Sequence, residues 1–198
     1  MTISIIVSVI LGALVGYFFV PASFMNSLDF ITIIVLNVLI FFIGIDIGQN
    51  KHIFKDIKKH GSLILLIPLS IVIGSLVGGL LTGLIFHIPS NKSLAVASGF
   101  GWYSLSGILI AKLDGPKLGT IAFLTNVFRE LITVISVPFL AKYLNHYTAI
   151  APAGATSMDT TLPIISRYTD PEIVIISFVN GVILSSLVPF LVPFFMAR

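Results

Sequence analysis

The chain alternates long apolar runs with short polar stretches. Uninterrupted apolar runs occupy 3–20, 30–48, 62–86, 117–141 and 173–196. Each is close to the length a helix needs to cross hydrocarbon, about 20 residues. Two further segments, 93–112 and 153–167, are apolar but interrupted by Gly, Ser, Thr and Pro. Short strands of alternating polarity, the mark of a membrane barrel, are absent from the pattern. Inside a bilayer, backbone groups that close no barrel must bond within helices. The pattern predicts an all-α fold, a polytopic membrane helix bundle of about 6–7 membrane segments. The segments 93–112 and 153–167 are the two expected to be broken or re-entrant. No linker is long enough to divide the chain, so 1–198 reads as a single transmembrane transport domain.

Composition strengthens this reading. The chain is 57% hydrophobic and 10% charged, with a mean hydropathy of +1.10. A soluble domain is about a quarter charged, and this chain could not cover a water-facing surface with polar groups. The net charge of +3 sits in loops and forms no basic face for nucleic acid. With no cysteine, disulfides and thiolate metal sites are excluded. No Lys or Arg precedes the first apolar run, and the run is too long for the core of a cleaved signal, so it reads as a retained span.

Charge also suggests an orientation. Lys51, Lys55, Lys58 and Lys59, with His52 and His60, form the densest basic loop. The positive-inside rule puts that loop in the cytoplasm, so the first span starts inside and the third runs outward. The loop Lys112–Lys117 faces inward if 93–112 crosses fully. Sidedness beyond it depends on whether 153–167 crosses or dips and returns.

A shift of 55 residues superposes Gly99 on Gly154, Lys112 on Arg167, Pro116 on Pro171, Ile121 on Ile176 and Phe123 on Phe178. Each copy is an interrupted segment, a basic end, a proline turn and an apolar helix. Secondary transporters are built this way, from repeats with discontinuous helices. The copies are inverted if each contains an odd number of crossings.

The interruptions hold the candidate chemistry. Ser98–Gly107 contains three Gly and three Ser within one apolar segment, together with Trp102 and Tyr103. The stretch Ala153–Pro163 carries Gly154, Thr156, Ser157, Asp159 and Pro163. Glycine costs a helix about 1 kcal/mol against alanine, and proline breaks it locally. Small residues at close helix contacts would account for the glycines and serines. They do not account for Asp159. Irregular backbone at membrane depth survives only inside protein or beside water. Both segments are therefore expected to unwind near the midplane, with half-helix N-termini able to hold a carboxylate. Trp102 and Tyr103 could stack on an ammonium group.

Ionisable residues inside spans cost at least about 2.5–3.5 kcal/mol and usually serve function. Glu130 lies near the centre of 117–141, with Asn126 one turn before it on the same face. Arg129 projects about 100° away from Glu130 and is expected to pair across helices, with Asp46 or Asp159. Asp46 lies near the end of its span and can reach interfacial water. A carboxylate partly removed from water takes up protons more readily, which suits a proton-linked carrier without choosing its substrate. Neither an intramembrane aspartyl-protease Gly-x-Gly-Asp motif nor a His-Glu-x-x-His metal helix occurs, so no enzyme, metal or cofactor is expected.

Three motifs in order, Gly99-Phe100-Gly101-Trp102-Tyr103-Ser104-Leu105-Ser106-Gly107, Arg129-Glu130-Leu131, and Gly154-Ala155-Thr156-Ser157-Met158-Asp159 with Thr161-Leu162-Pro163, resemble the bacterial lysine exporter family of the LysO type. The resemblance runs from about Leu28 to the end. It implies export of lysine, and of its toxic analogue thialysine, across the cell inner membrane by a multi-pass protein, driven by exchange with protons. It also implies that Glu130 and Asp159 are the important acids. Substrate binding or proton coupling is expected of these two with Asn126, Trp102, Tyr103, Ser104, Gly99, Gly101, Thr156 and Ser157. The family is distantly similar to the cation/proton antiporter group, whose sites lie where two broken helices cross. That likeness places 93–112 and 153–167 as the crossing pair. Longer members carry more hydrophobic sequence before this domain, so a homodimer or a separate N-terminal-half subunit is an expected partner, beside lysine, protons and membrane lipid. The alternative function is a non-transporting membrane subunit of a split transporter.

Overall fold

The structure, a computed structural model, describes residues 61–197 and, before them, positions 7, 10–12, 14–16, 18, 21, 30–31, 34–35, 37–38, 41–42 and 45. Those earlier positions are helical except Pro21, in line with spans at 3–20 and 30–48. The basic loop 51–60 and Asp46 lie outside the described residues. From Gly61 onward the elements are α1 (Gly61–Ile85), α2 (Ser90–Ala97), α3 (Tyr103–Asp114), α4 (Pro116–Tyr143), α5 (Leu162–Tyr168) and α6 (Pro171–Met196). Two 3₁₀ turns, Thr148–Ile150 and Gly154–Met158, precede α5. Among the described residues there is no strand.

Three of these helices, α1, α4 and α6, are long and apolar enough to cross a membrane. They match the runs expected at 62–86, 117–141 and 173–196 to within two residues at most ends. Leu65, Leu69, Phe128, Ile132 and Phe190 are exposed on their outer faces, as suits helices whose solvent is lipid. Inward, Ile110, Ile176, Leu184 and Val188 form a buried core. Helix α2 lies against α1 because Gly79 and Gly83 leave room for Ala97 and Ser93, where a Cβ would collide. Small residues allow such close backbone approach in membrane bundles.

The two interrupted segments do not cross. Lys92, at the start of α2, pairs with Asp114, at the end of α3, at 2.6 Å. A straight helix would hold positions 22 apart about 33 Å from each other. The segment therefore enters, breaks at 98–102 and returns to the side it came from. The second segment does the same, for His146 meets Asp170 at 2.7 Å. The inward placement of Lys112–Lys117, which required a full crossing, gives way: that loop shares the side of Lys92, opposite the start of α1.

Helix α4 starts beside the mouth of the first hairpin and ends beside the mouth of the second. Its 28 residues span about 42 Å. The hairpins thus enter from opposite faces and meet at mid-depth, where Ala155 N–H donates to Phe100 O at 2.8 Å. Each sequence repeat contains one returning hairpin and one crossing helix, an odd number of crossings, so the copies are inverted. The proline turns fall at equivalent places, with Pro116 and Pro171 each opening a long helix. Midway along those helices, Asn126 and Asn180 each bond into the hairpin that precedes them.

This topology has a direct test. The native chain has no cysteine, so single cysteines report without background. Exposed ion pairs contribute about 0–1 kcal/mol, so replacing one member should leave the fold intact. Lys92→Cys and Asp114→Cys should react with a membrane-impermeant thiol reagent from one face, His146→Cys and Asp170→Cys from the other. Labelling of Lys92→Cys and Asp114→Cys from opposite faces would refute the returning hairpin.

Candidate functional site

The crossing is built on glycine. Phe100 and Gly101 have φ of 47° and 105°, and Gly154 has φ of 59°. These left-handed values turn both chains sharply, and glycine adopts them without the side-chain clash that other residues suffer. A Cβ on Gly154 would collide with the Phe100 carbonyl, the acceptor of the crossing hydrogen bond. A Cβ on Gly99 would lie 2.5 Å from Asn126 Nδ2 and 2.8 Å from Ser106 Oγ. Gly99, Gly101 and Gly154 thus permit the close approach of the hairpins and their braces.

Polar side chains brace each break. Asn126 is 2% exposed and accepts from Gly101 N–H at 2.7 Å through Oδ1. Its Nδ2 donates to Ala122 O at 2.9 Å and Ser106 Oγ at 3.2 Å. On the other hairpin, Ser157 Oγ donates towards Gly154 O and Ser177 O, both at 2.8 Å. Asn180 Nδ2 donates to Gly154 O at 3.1 Å and to Ser157 Oγ at 3.0 Å. Thr156 Oγ1 donates to Ala153 O at 2.8 Å. An unmade hydrogen bond in such a buried place costs about 1–3 kcal/mol, so these groups hold the backbone in shape. Asn126, Thr156 and Ser157, expected as ligands, each make such bonds to the protein's own chain.

The two acids come together. Asp159 follows the 3₁₀ turn Gly154–Met158, and its Oδ1 accepts from Thr160 N–H at 2.6 Å. Thr160 and Asp159 both lie close enough to the half-buried Glu130 of α4 to act on its carboxyl group. Two carboxylates from different hairpin-and-helix units thus come near one another beside Thr160. Trp102 is 36% exposed and lines a pocket of about 90 Å³ with Thr156, Met158, Asp159 and Ser185. The indole face and the Asp159 carboxylate are both groups that attract an ammonium. Tyr103 instead packs edge-on against Phe123, with ring centres 5.4 Å apart, and Ser104 lies on the exposed face of α3.

Arg129 does not pair with Asp159. Its Nε donates to Pro152 O at 2.9 Å, Nη1 to Ser75 Oγ at 3.0 Å and Nη2 to Ala151 O at 3.3 Å. These carbonyls close the 3₁₀ turn Thr148–Ile150, where the backbone dipole leaves negative charge. The other expected partner, Asp46, lies outside the described residues. Sequence reasoning missed Thr160 and Ser75 as members of the site. Thr160 could have been found from its place beside Asp159, whereas nothing in the sequence linked Ser75 to Arg129. Among the described residues no cluster of three or more His, Asp or Glu could hold a metal ion.

The profile of one protein family, described as "Lysine exporter LysO", matches residues 6–196. The chain is 42% identical over 164 residues to "Lysine exporter LysO" of Escherichia coli (strain K12), an alignment covering 82% of this chain and 54% of that protein. It is 36% identical over 165 residues to the "Putative lysine exporter" of Haemophilus influenzae (strain ATCC 51907 / DSM 11121 / KW20 / Rd), covering 81% of this chain and 82% of that one. The chain thus spans about half the length of the first of these relatives. No solved structure matches it.

Proposed function

The chain belongs to the lysine exporter family, and on that footing we propose that it carries L-lysine, and analogues such as thialysine, out of the cell across the bacterial inner membrane in exchange for protons. The observation that carries this reading is the approach of Glu130 and Asp159 to one another, beside the crossing of two returning hairpins. Acids at this depth are costly unless a cargo or ion uses them. Two carboxylates and the Trp102 face suit the ammonium groups of lysine, or one acid holds lysine while the other carries the proton. Inverted repeats that meet at mid-depth support alternating access, because two half-units can rock about a fixed site. The braces of Asn126 and Asn180 keep each break in shape as they do so.

Cells lacking their own exporter and expressing this chain should gain thialysine resistance and release labelled lysine. Neither effect in cells where the protein is correctly inserted would count against export by this chain alone. Recovery on co-expressing a longer relative's N-terminal half would favour the second reading, a subunit of a split transporter.

A further inference from the structure

The sequence pointed to bare backbone at the breaks as the seat of the substrate carboxylate. Two of the N–H groups at the crossing are already occupied. Gly101 N–H is bonded to Asn126 Oδ1 at 2.7 Å, and Ala155 N–H to Phe100 O at 2.8 Å. The cation beside them is less fully used. A guanidinium has five N–H donors. Three of those on Arg129 reach Pro152 O, Ser75 Oγ and Ala151 O, all neutral acceptors. Two donors remain, and among the described residues no carboxylate ion-pairs with this guanidinium.

Space adjoins this side chain. One cavity of about 230 Å³ lies between α1, α2 and α4. An open groove of about 690 Å³, with Phe128 and Ile132 of the outer face along it, lies between α1, α4 and the stretch Ala151–Pro152. Ser75, Thr125 and Arg129 line both. Arginine keeps its charge in nearly any environment, and a charge held away from water strongly favours an opposite charge next to it. Its planar fork matches a carboxylate in geometry, and two hydroxyls stand beside it.

We infer that Arg129, with Ser75 and Thr125, binds the α-carboxylate of the transported amino acid. This rests on the lysine-export reading and sharpens it: the acids select the ammonium, and the arginine selects amino acids over plain diamines. Arg129 and Glu130 are chain neighbours at mid-helix, turned about 100° apart. One turn of α4 therefore presents a positive and a negative group in different directions.

The test is direct binding to purified protein in lipid nanodiscs, with L-lysine, lysinamide and 1,5-diaminopentane as probes. Wild-type protein is expected to bind L-lysine at least about 10-fold more tightly than either probe lacking the carboxylate, the loss that follows one charge-assisted hydrogen bond. Arg129→Gln should weaken lysine about 10- to 100-fold and leave 1,5-diaminopentane unchanged or tighter, and Arg129→Lys should fall between. Equal binding of lysine and lysinamide by the wild type would overturn the inference without any variant. So would undiminished lysine binding by Arg129→Gln, or equal loss of lysine and 1,5-diaminopentane in both variants, which marks a structural arginine. Wild-type protein that binds none of the three probes would overturn the export reading and this inference with it.

Discussion

Replacing Glu130 by Gln or Asp159 by Asn is expected to lower lysine efflux about 10- to 100-fold at equal protein abundance, the loss that follows one charge-assisted interaction. Both substitutions keep shape and hydrogen-bonding capacity while removing charge. Thr160 N–H can still bond an amide oxygen at position 159, so the hairpin should stay in place. The double variant should be little worse than either single one, because residues that act as one unit do not lose function additively. Efflux of labelled lysine from preloaded cells measures this. Near-wild-type efflux in both single variants would remove the acids from transport. Additive losses in the double variant would separate them into independent sites.

Gly154→Val is expected to abolish both transport and the stable fold of the crossing. A side chain at φ of 59° costs about 1–2 kcal/mol, and more when β-branched. The added Cβ also meets the Phe100 carbonyl and sits 3.0 Å from Arg129 Nη2. Overpacking of this kind costs about 1–3 kcal/mol further and displaces the acceptor of the Ala155 bond. The control is Gly74→Ala on α1, where a Cβ has nothing within 4 Å. Thermal unfolding in detergent should fall sharply for the first variant and stay put for the second. Equal stability of the two would mean that the hairpins do not meet as closely as described.

Hydropathy made the crossing helices legible, because long apolar runs have no other stable use. It also located both breaks, since glycines, serines and proline inside an apolar segment oppose a continuous helix. Hydropathy could not say whether a broken segment crosses or returns. Both alternatives bury the same residues at the same depth. The signal lay in the segment ends, where Lys92 and Asp114, and His146 and Asp170, carry complementary charge. Pairing over such sequence distance is visible only in three dimensions.

The acids were legible for a simpler reason, for a carboxylate within an apolar span stands out whatever the fold. Their polar neighbours were harder to sort. Asn126 shares a helix face with Glu130, yet its amide holds Gly101 in place. Ser104 and Ser106 lie two residues apart, yet only Ser106 is buried and bonded to Asn126. Helical phase after a break cannot be read from sequence, because the break resets it. Among the described residues Arg129 finds no carboxylate and binds carbonyls at the end of a 3₁₀ turn, a partial charge that no side-chain pattern records.

The most direct test of a proton-driven lysine carrier uses purified protein in sealed vesicles with an imposed pH gradient and labelled lysine outside. With an acid lumen, protons leaving through the protein should draw lysine inward above its external concentration, and collapsing the gradient should release it. Glu130→Gln and Asp159→Asn vesicles should accumulate none. Lysine uptake that ignores the gradient, or that persists in both variants, would contradict the account.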